Sequence, residues 1–269
     1  MADIRHLLVQ RRDELGLSQA DVAQRIGCDV RSYGRVERGE STPRRGETRQ
    51  RYAKALRLSP EQLAIALGNP PSPNGKGAAP GWLTLYTGLE QQADSIRNYE
   101  ATVIPGLCQT RRYAEAMLRS DITERTDAAI ARLVGMRLAR QEALYRDHDP
   151  LHLHVVFDEV ALRRVAGTAA VMAELLDHLI ELAERPNVEA QVLPFSVGAH
   201  PFGFGSFVIL ESASDLPAVV YVESRSTARY LESEAEVEAH AAAFDHLAEL
   251  ALPPAETVEF IQTLRETYA

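Results

Sequence analysis

The chain has 269 residues, more than one compact core usually holds, so two domains are expected, and 45% hydrophobic residues are enough to fill them. A net charge of −9 argues against a general polyanion binder, and two lone cysteines, Cys28 and Cys108, exclude both a disulfide framework and a multi-cysteine zinc site. No apolar run reaches the roughly eighteen residues needed to span a bilayer, and the N-terminus lacks the apolar stretch of a signal peptide, so a cytoplasmic protein without membrane contact is expected.

The first 68 residues carry apolar residues at helical spacing in short sets: Ile4, Leu7 and Leu8; Val22, Ala23 and Ile26; Tyr33 and Val36; Tyr52, Ala53 and Leu56. About five short helices are predicted. Ser18 with Asp21 marks one helix start, Asp29 the next, and Ser59-Pro60-Glu61-Gln62 a later one. Charge divides the chain at the same place. Residues 1–68 hold 13 Lys and Arg against 9 Asp and Glu, a charge of +4, and the remainder 16 against 29, a charge of −13. A basic head on an acidic body suits a DNA reader joined to a partner or effector domain.

The run Leu17 to Gly27, followed by Asp29 to Gly39, resembles the helix-turn-helix of the Xre or phage-repressor type. The resemblance implies a second helix from near Gln19, a tight turn at Gly27, and a third helix from about Val30 to Arg38 lying in the major groove. The pattern itself agrees: Tyr33 and Val36 share one face of the third helix, while Val30, Arg31, Ser32 and Arg35 project elsewhere. Arg31 and Arg35 are the expected base readers, because a guanidinium bonds guanine bidentately; Ser32 suits a base or phosphate, and Val30 a thymine methyl. Ser18 and Gln19 stand at the second helix's N-terminus, where a phosphate would bind, and Arg38, Arg44 and Arg45 flank the DNA backbone. Three departures from the pattern stand out, one being a loop before the fourth helix that looks a residue long. Gly34 weakens the third helix by roughly 1 kcal/mol relative to alanine, and Arg49 takes a position that is commonly apolar in the fourth helix.

Residues 69–81 are rich in proline and glycine and form a predicted linker. Beyond it, residues 82–269 read as an α+β domain. Helices are expected at about 82–98, 110–119, 123–146, 168–185, 233–250 and 255–267, and strands at 151–157, 188–193, 205–210 and 218–223.

Chemistry in this larger domain is harder to place. Lys54 and Lys76 are the only lysines and both precede residue 82, which rules out a Ser-Lys self-cleaving dyad there. No zinc-peptidase motif is present, Gly203-Phe-Gly205 lacks a nucleotide-binding context, and the helices exclude a cupin. His152 and His154 fall on one side of a strand near Glu159, as metal ligands or as an ordinary solvent-facing pair; the second reading is preferred, and no metal or cofactor is expected. Glu100, Asp158, Glu159 and Glu223 are candidate acid–base carboxylates, with nothing in the sequence to bring any two together, and Cys108 reads as a packed small residue.

Val103-Ile-Pro-Gly-Leu-Cys-Gln-Thr110 with Tyr113 and Ala114, Arg140-Gln141, Asp158-Glu159 with Ala161 to Arg163, Val188 to Pro194 and Val219 to Glu223 resemble the actinomycete regulators described as antitoxin-like. That resemblance implies a repressor or regulator controlled by contact with a small partner protein encoded nearby, and it names no catalytic residue. A homodimer on double-stranded operator DNA is expected, since one module covers only a few base pairs. The alternatives are a one-component sensor of a small-molecule effector and, further off, an enzyme fused to a DNA-binding module.

Overall fold

The structure is a computed structural model describing residues 6–38, 40, 41, 43, 46–58, 63, 67, 81–122, 124–200, 205–212, 217–224 and 228–268. Its N-terminal part is helical: α1 (His6–Glu14), α2 (Gln19–Ile26), α3 (Val30–Glu37) and α4 (Gly46–Leu56). Leu8, Val22, Ala23, Ile26, Tyr33, Val36, Tyr52, Ala53 and Leu56 pack into one core, as the helical spacing requires. Leu63 and Leu67 join that core, whereas Ile4, the Ser59-Pro60-Glu61-Gln62 cap and residues 69–80 of the linker expected at 69–81 lie outside the described residues, and Gly81 opens a helix instead.

Local chemistry fixes the helix-turn-helix. Ser18 and Asp21 form a reciprocal capping box on α2, its main-chain bonds being 2.8 Å from Ser18 N–H to Asp21 and 3.2 Å from Asp21 N–H to Ser18. Gly27 ends α2 at φ 80°, ψ 41°, a left-handed conformation costly for a side-chain-bearing residue, with its N–H on Ala23 O at 2.9 Å. Asp29 then caps α3 by accepting from the Ser32 N–H at 2.8 Å.

The α+β domain begins with α5 (Gly81–Gln92) and β1 (Ser95–Glu100), then a 3-10 turn (Gly106–Cys108), α6 (Arg111–Arg119), α7 (Asp127–Gln141), a second 3-10 turn (Glu142–Tyr145), and β2 (His152–Asp158). There follow α8 (Glu159–Arg163), α9 (Ala169–Ala183), β3 (Val188–Leu193), β4 (Phe207–Glu211), β5 (Val219–Glu223), β6 (Ala228–Leu231), α10 (Glu234–Leu250) and α11 (Pro254–Glu266). The six strands form one mixed sheet in the order β3-β2-β1-β4-β5-β6. β1, β2 and β3 run parallel, in register Glu100↔Phe157 and Phe157↔Val192, and β1, β4, β5 and β6 pair antiparallel, with Tyr99↔Phe207 and Tyr221↔Tyr230. The connecting helices α6 and α9, with α11, cover one face through Tyr113, Leu176, Leu179, Ile261 and Leu264. On the other face, Phe244 and Leu247 of α10 meet Tyr99, Val156, Ile209 and Val220.

Two strands escape the sequence pattern. The helix expected at 82–98 stops at Gln92, and Ser95–Glu100 is instead a central strand. Its polar residues hide it: Arg97 bonds Glu211 at 2.8 Å, and the Asn98 amide donates to Phe207 O at 3.3 Å. β6 is four residues long and includes Arg229, too short and polar for a period-2 signal. The helix expected at 123–146 spans Asp127–Gln141, because Thr126 caps it and a 3-10 turn ends it. Among the described residues no helix is long and apolar enough to cross a membrane.

Candidate nucleic-acid interface

One side of α3 is built for packing and the other is open. Tyr33 and Val36 are buried, while Val30, Arg31, Ser32 and Arg35 are exposed; Val30, an apolar residue, is 45% exposed. The Ser32 hydroxyl is turned back onto the Asp29 carboxylate at 2.6 Å, which together with the Ser32 amide holds that carboxyl below its usual range. Arg38 is exposed just past the helix, and Arg44 and Arg45 lie outside the described residues.

Gln19 lies differently from the sequence expectation. Its amide points inward and donates to Glu37 Oε2 at 2.6 Å. Glu37 is the hub of the module. It is 6% exposed, and its other oxygen accepts from Arg12 Nε and from the Tyr33 hydroxyl, each at 2.7 Å. One carboxylate thereby ties α1 and α2 to α3 and sets the angle at which α3 is presented. Sequence reasoning passes over it, although a charged residue four places after Tyr33, on the packed side of α3, is the signal that would find it.

Gly34 also has a definite role. A Cβ there would come within 3.1 Å of Arg38 Nη1 and 3.4 Å of Gln19 Oε1, so the missing side chain makes room for both groups against the helix. Arg49, out of place by the apolar pattern, donates from Nε to Pro43 O at 3.0 Å and ties down the chain ahead of α4.

In the larger domain the topology gathers what the sequence leaves scattered. Glu100, Asp158 and Glu223 end β1, β2 and β5, and all three stand at one end of the sheet. β1 and β4 meet there, where the chain reverses its progress across the sheet, the place at which open α/β sheets form a crevice. The three carboxylates keep separate partners: Ser206 on Glu100 at 2.6 Å, the Tyr221 hydroxyl on Glu223 at 2.9 Å, and Tyr99 and His200 about Asp158 at 3.4 and 3.7 Å. Glu159 is buried and accepts from the Phe195 N–H at 2.8 Å. Beneath the same strand ends, Arg137 is held by Gln109 Oε1 at 2.7 Å, with no carboxylate paired to it among the described residues. Burial, and then the neighbouring Arg140, lower its affinity for the proton.

His154 is bonded to Gln191 at 2.7 Å and His152 is exposed; among the described residues no group of three His, Cys, Asp or Glu is placed to hold a metal. Cys108 is fully buried, which pushes its thiol up and keeps it protonated.

Burial pushes the Glu100 carboxyl up to about 7, Ser206 lowering it and Glu223 raising it further. Between about 4.5 and 7 the folded protein therefore keeps a proton that the unfolded chain loses, and folding stability from this group falls as pH rises. Glu100→Gln should accordingly gain stability relative to the unsubstituted protein by about 1.4 kcal/mol per pH unit across that window. Denaturant midpoints from pH 4.5 to 8 check this; parallel curves for the two proteins would show that Glu100 titrates normally.

These features define a helix-turn-helix module followed by an α+β domain, the build of a DNA-binding regulator. A helix-turn-helix domain family matches residues 3–68, and the family described as Domain of unknown function (DUF5753) matches residues 83–263. The second match spans more than half of the chain, so the chain belongs to the DUF5753 family. No curated protein and no solved structure matches it.

Proposed function

We propose that this chain is a sequence-specific transcription regulator of the Xre type, a repressor that binds its operator as a homodimer and whose larger domain takes up a small partner protein. The observation that carries the DNA-binding half is the open row Val30, Arg31, Ser32 and Arg35 on a helix whose opposite side is locked in place by Tyr33, Val36 and Glu37. Arg31 and Arg35 read bases in this scheme, and the α2 N-terminus faces a phosphate. The larger domain is regulatory rather than catalytic, a reading supported by the separate partners of its carboxylates.

The test is binding of the full chain to a duplex selected from random sequences and to its scrambled version, across a salt series, with and without the product of the neighbouring small gene. Arg35→Ala should cost about 1 to 3 kcal/mol on the selected duplex and relax preference at one base pair. Equal loss on both duplexes would remove Arg35 as a base reader. Release of the selected duplex by the small partner would support control through that partner.

A second reading, control by a small-molecule effector, is favoured by the polar group at the strand ends, where among the described residues Arg137 is paired with no carboxylate and Glu100 accepts from Ser206. Specific DNA binding indifferent to the partner, but altered by Arg137→Ala, would shift weight to it.

A further inference from the structure

The contact that the DNA-binding reading leaves unused is a carboxylate set among the arginines expected to meet DNA. Glu40 Oε1 accepts from Arg38 Nε at 2.7 Å and Glu40 Oε2 from Arg38 Nη2 at 3.4 Å, a two-pronged pairing, and the same Oε2 lies 3.5 Å from Arg35 Nε. The backbone puts it there: the Glu40 N–H donates to Arg35 O at 2.8 Å, folding the chain back over the last turn of α3. Arg38 is confined from the other side as well, with Nη1 resting over Gly34. The Arg38 bond also holds the Glu40 carboxyl below its usual range, so it is ionised at neutral pH.

We propose that Glu40 is a specificity-determining residue, one that withholds Arg38 from arbitrary phosphates while bracing Arg35 for base readout. The asymmetry of the contacts carries the inference. Arg38 gives Nε and Nη2 to Glu40, two of the nitrogens it would turn to a phosphate. Arg35 approaches Glu40 through Nε at 3.5 Å, and among the described residues its two terminal nitrogens, the pair that reaches guanine O6 and N7, make no hydrogen bond. Binding to random DNA draws its strength from phosphate contacts and must break the Arg38 pairing. Cognate readout by Arg35 can proceed with its Glu40 contact in place.

This inference rests on the DNA-binding reading, and the experiment separates the two. The full chain, Glu40→Gln, and Glu14→Gln as a control that removes one charge from α1, are each titrated with the selected duplex and its scrambled version over a salt series. Glu40→Gln should bind scrambled DNA about three- to tenfold tighter than either other protein and steepen the salt dependence there by about one phosphate contact, with affinity for the selected duplex unchanged or lower. The ratio of specific to non-specific binding then falls about threefold or more. Equal shifts on both duplexes, or a shift no larger than that of Glu14→Gln, would overturn the role of Glu40 and leave the DNA-binding reading standing. An unsubstituted chain that does not distinguish the two duplexes would overturn both. A matching melt for Glu40→Gln confirms that the module is folded, and its backbone bond to Arg35 does not depend on the side chain.

Discussion

Glu37→Ala should lower the stability of the N-terminal module by about 3 to 5 kcal/mol, the range expected when one partner of a buried ion pair is removed. Arg12, whose side chain is 14% exposed, would lose its nearest buried carboxylate, and the hydroxyl of fully buried Tyr33 would lose its acceptor. The Gln19 amide would be freed at the same time, so three groups on three helices lose one centre. A helical unit of this size has a stability near the low end of about 5 to 15 kcal/mol, so most of it would be spent. In a thermal melt followed by circular dichroism, the module should unfold separately and early, and binding should be lost on selected and scrambled DNA alike. Arg35→Ala should instead leave the melt unchanged. A Glu37→Ala protein melting within about 1 kcal/mol of the original would mean that packing alone orients α3.

Glu90→Ala should be comparably costly in the larger domain, again about 3 to 5 kcal/mol. Glu90 is 2% exposed and grips Arg140 with two bonds, 2.6 and 2.7 Å, and that guanidinium lies 5.1 Å over the ring of Tyr86. Without Glu90, Arg140 would be a desolvated charge beside Arg137. The pair joins α5 to α7 and so fixes α5 onto the sheet domain. Replacing both members with apolar residues, Glu90→Leu with Arg140→Met, should cost clearly less than the sum of the single substitutions, because no charge is then stranded. Denaturant unfolding of the two single variants and the double variant measures this; strict additivity would show that the pair carries no coupling.

How much could be read from the sequence depended on how local each signal was. The helix-turn-helix is written in neighbouring residues: Ser18 with Asp21, Gly27 in its left-handed turn, Asp29 with Ser32, and the apolar spacing of Tyr33 and Val36. The exposed row on α3 follows directly from that spacing. β1 is hidden because Arg97, Asn98 and Glu100 are satisfied by Glu211, Phe207 and Ser206, more than a hundred residues away, so their polarity reads as a solvent-facing helix. The grouping of Glu100, Asp158 and Glu223 likewise needs the strand order, which no window of sequence contains. Glu40 reads as a solvated acid until the turn places it against two arginines, and Gln19 reads as a phosphate contact until Glu37 is known to be its partner.

The joint between β1 and β4 also bears on how the chain matures as it leaves the ribosome. Among the described residues the α1–α4 core is drawn from positions 8–67, so the DNA-reading head can fold as soon as that stretch emerges. β1 emerges shortly afterwards but has no neighbour until residues 152–157 appear on one side and 207–211 on the other. Pairings this distant in sequence form slowly. A finished head is then carried by a body whose central strand still waits for its partners, and any control that the body exerts over DNA binding can begin only after residues 207–211 have emerged.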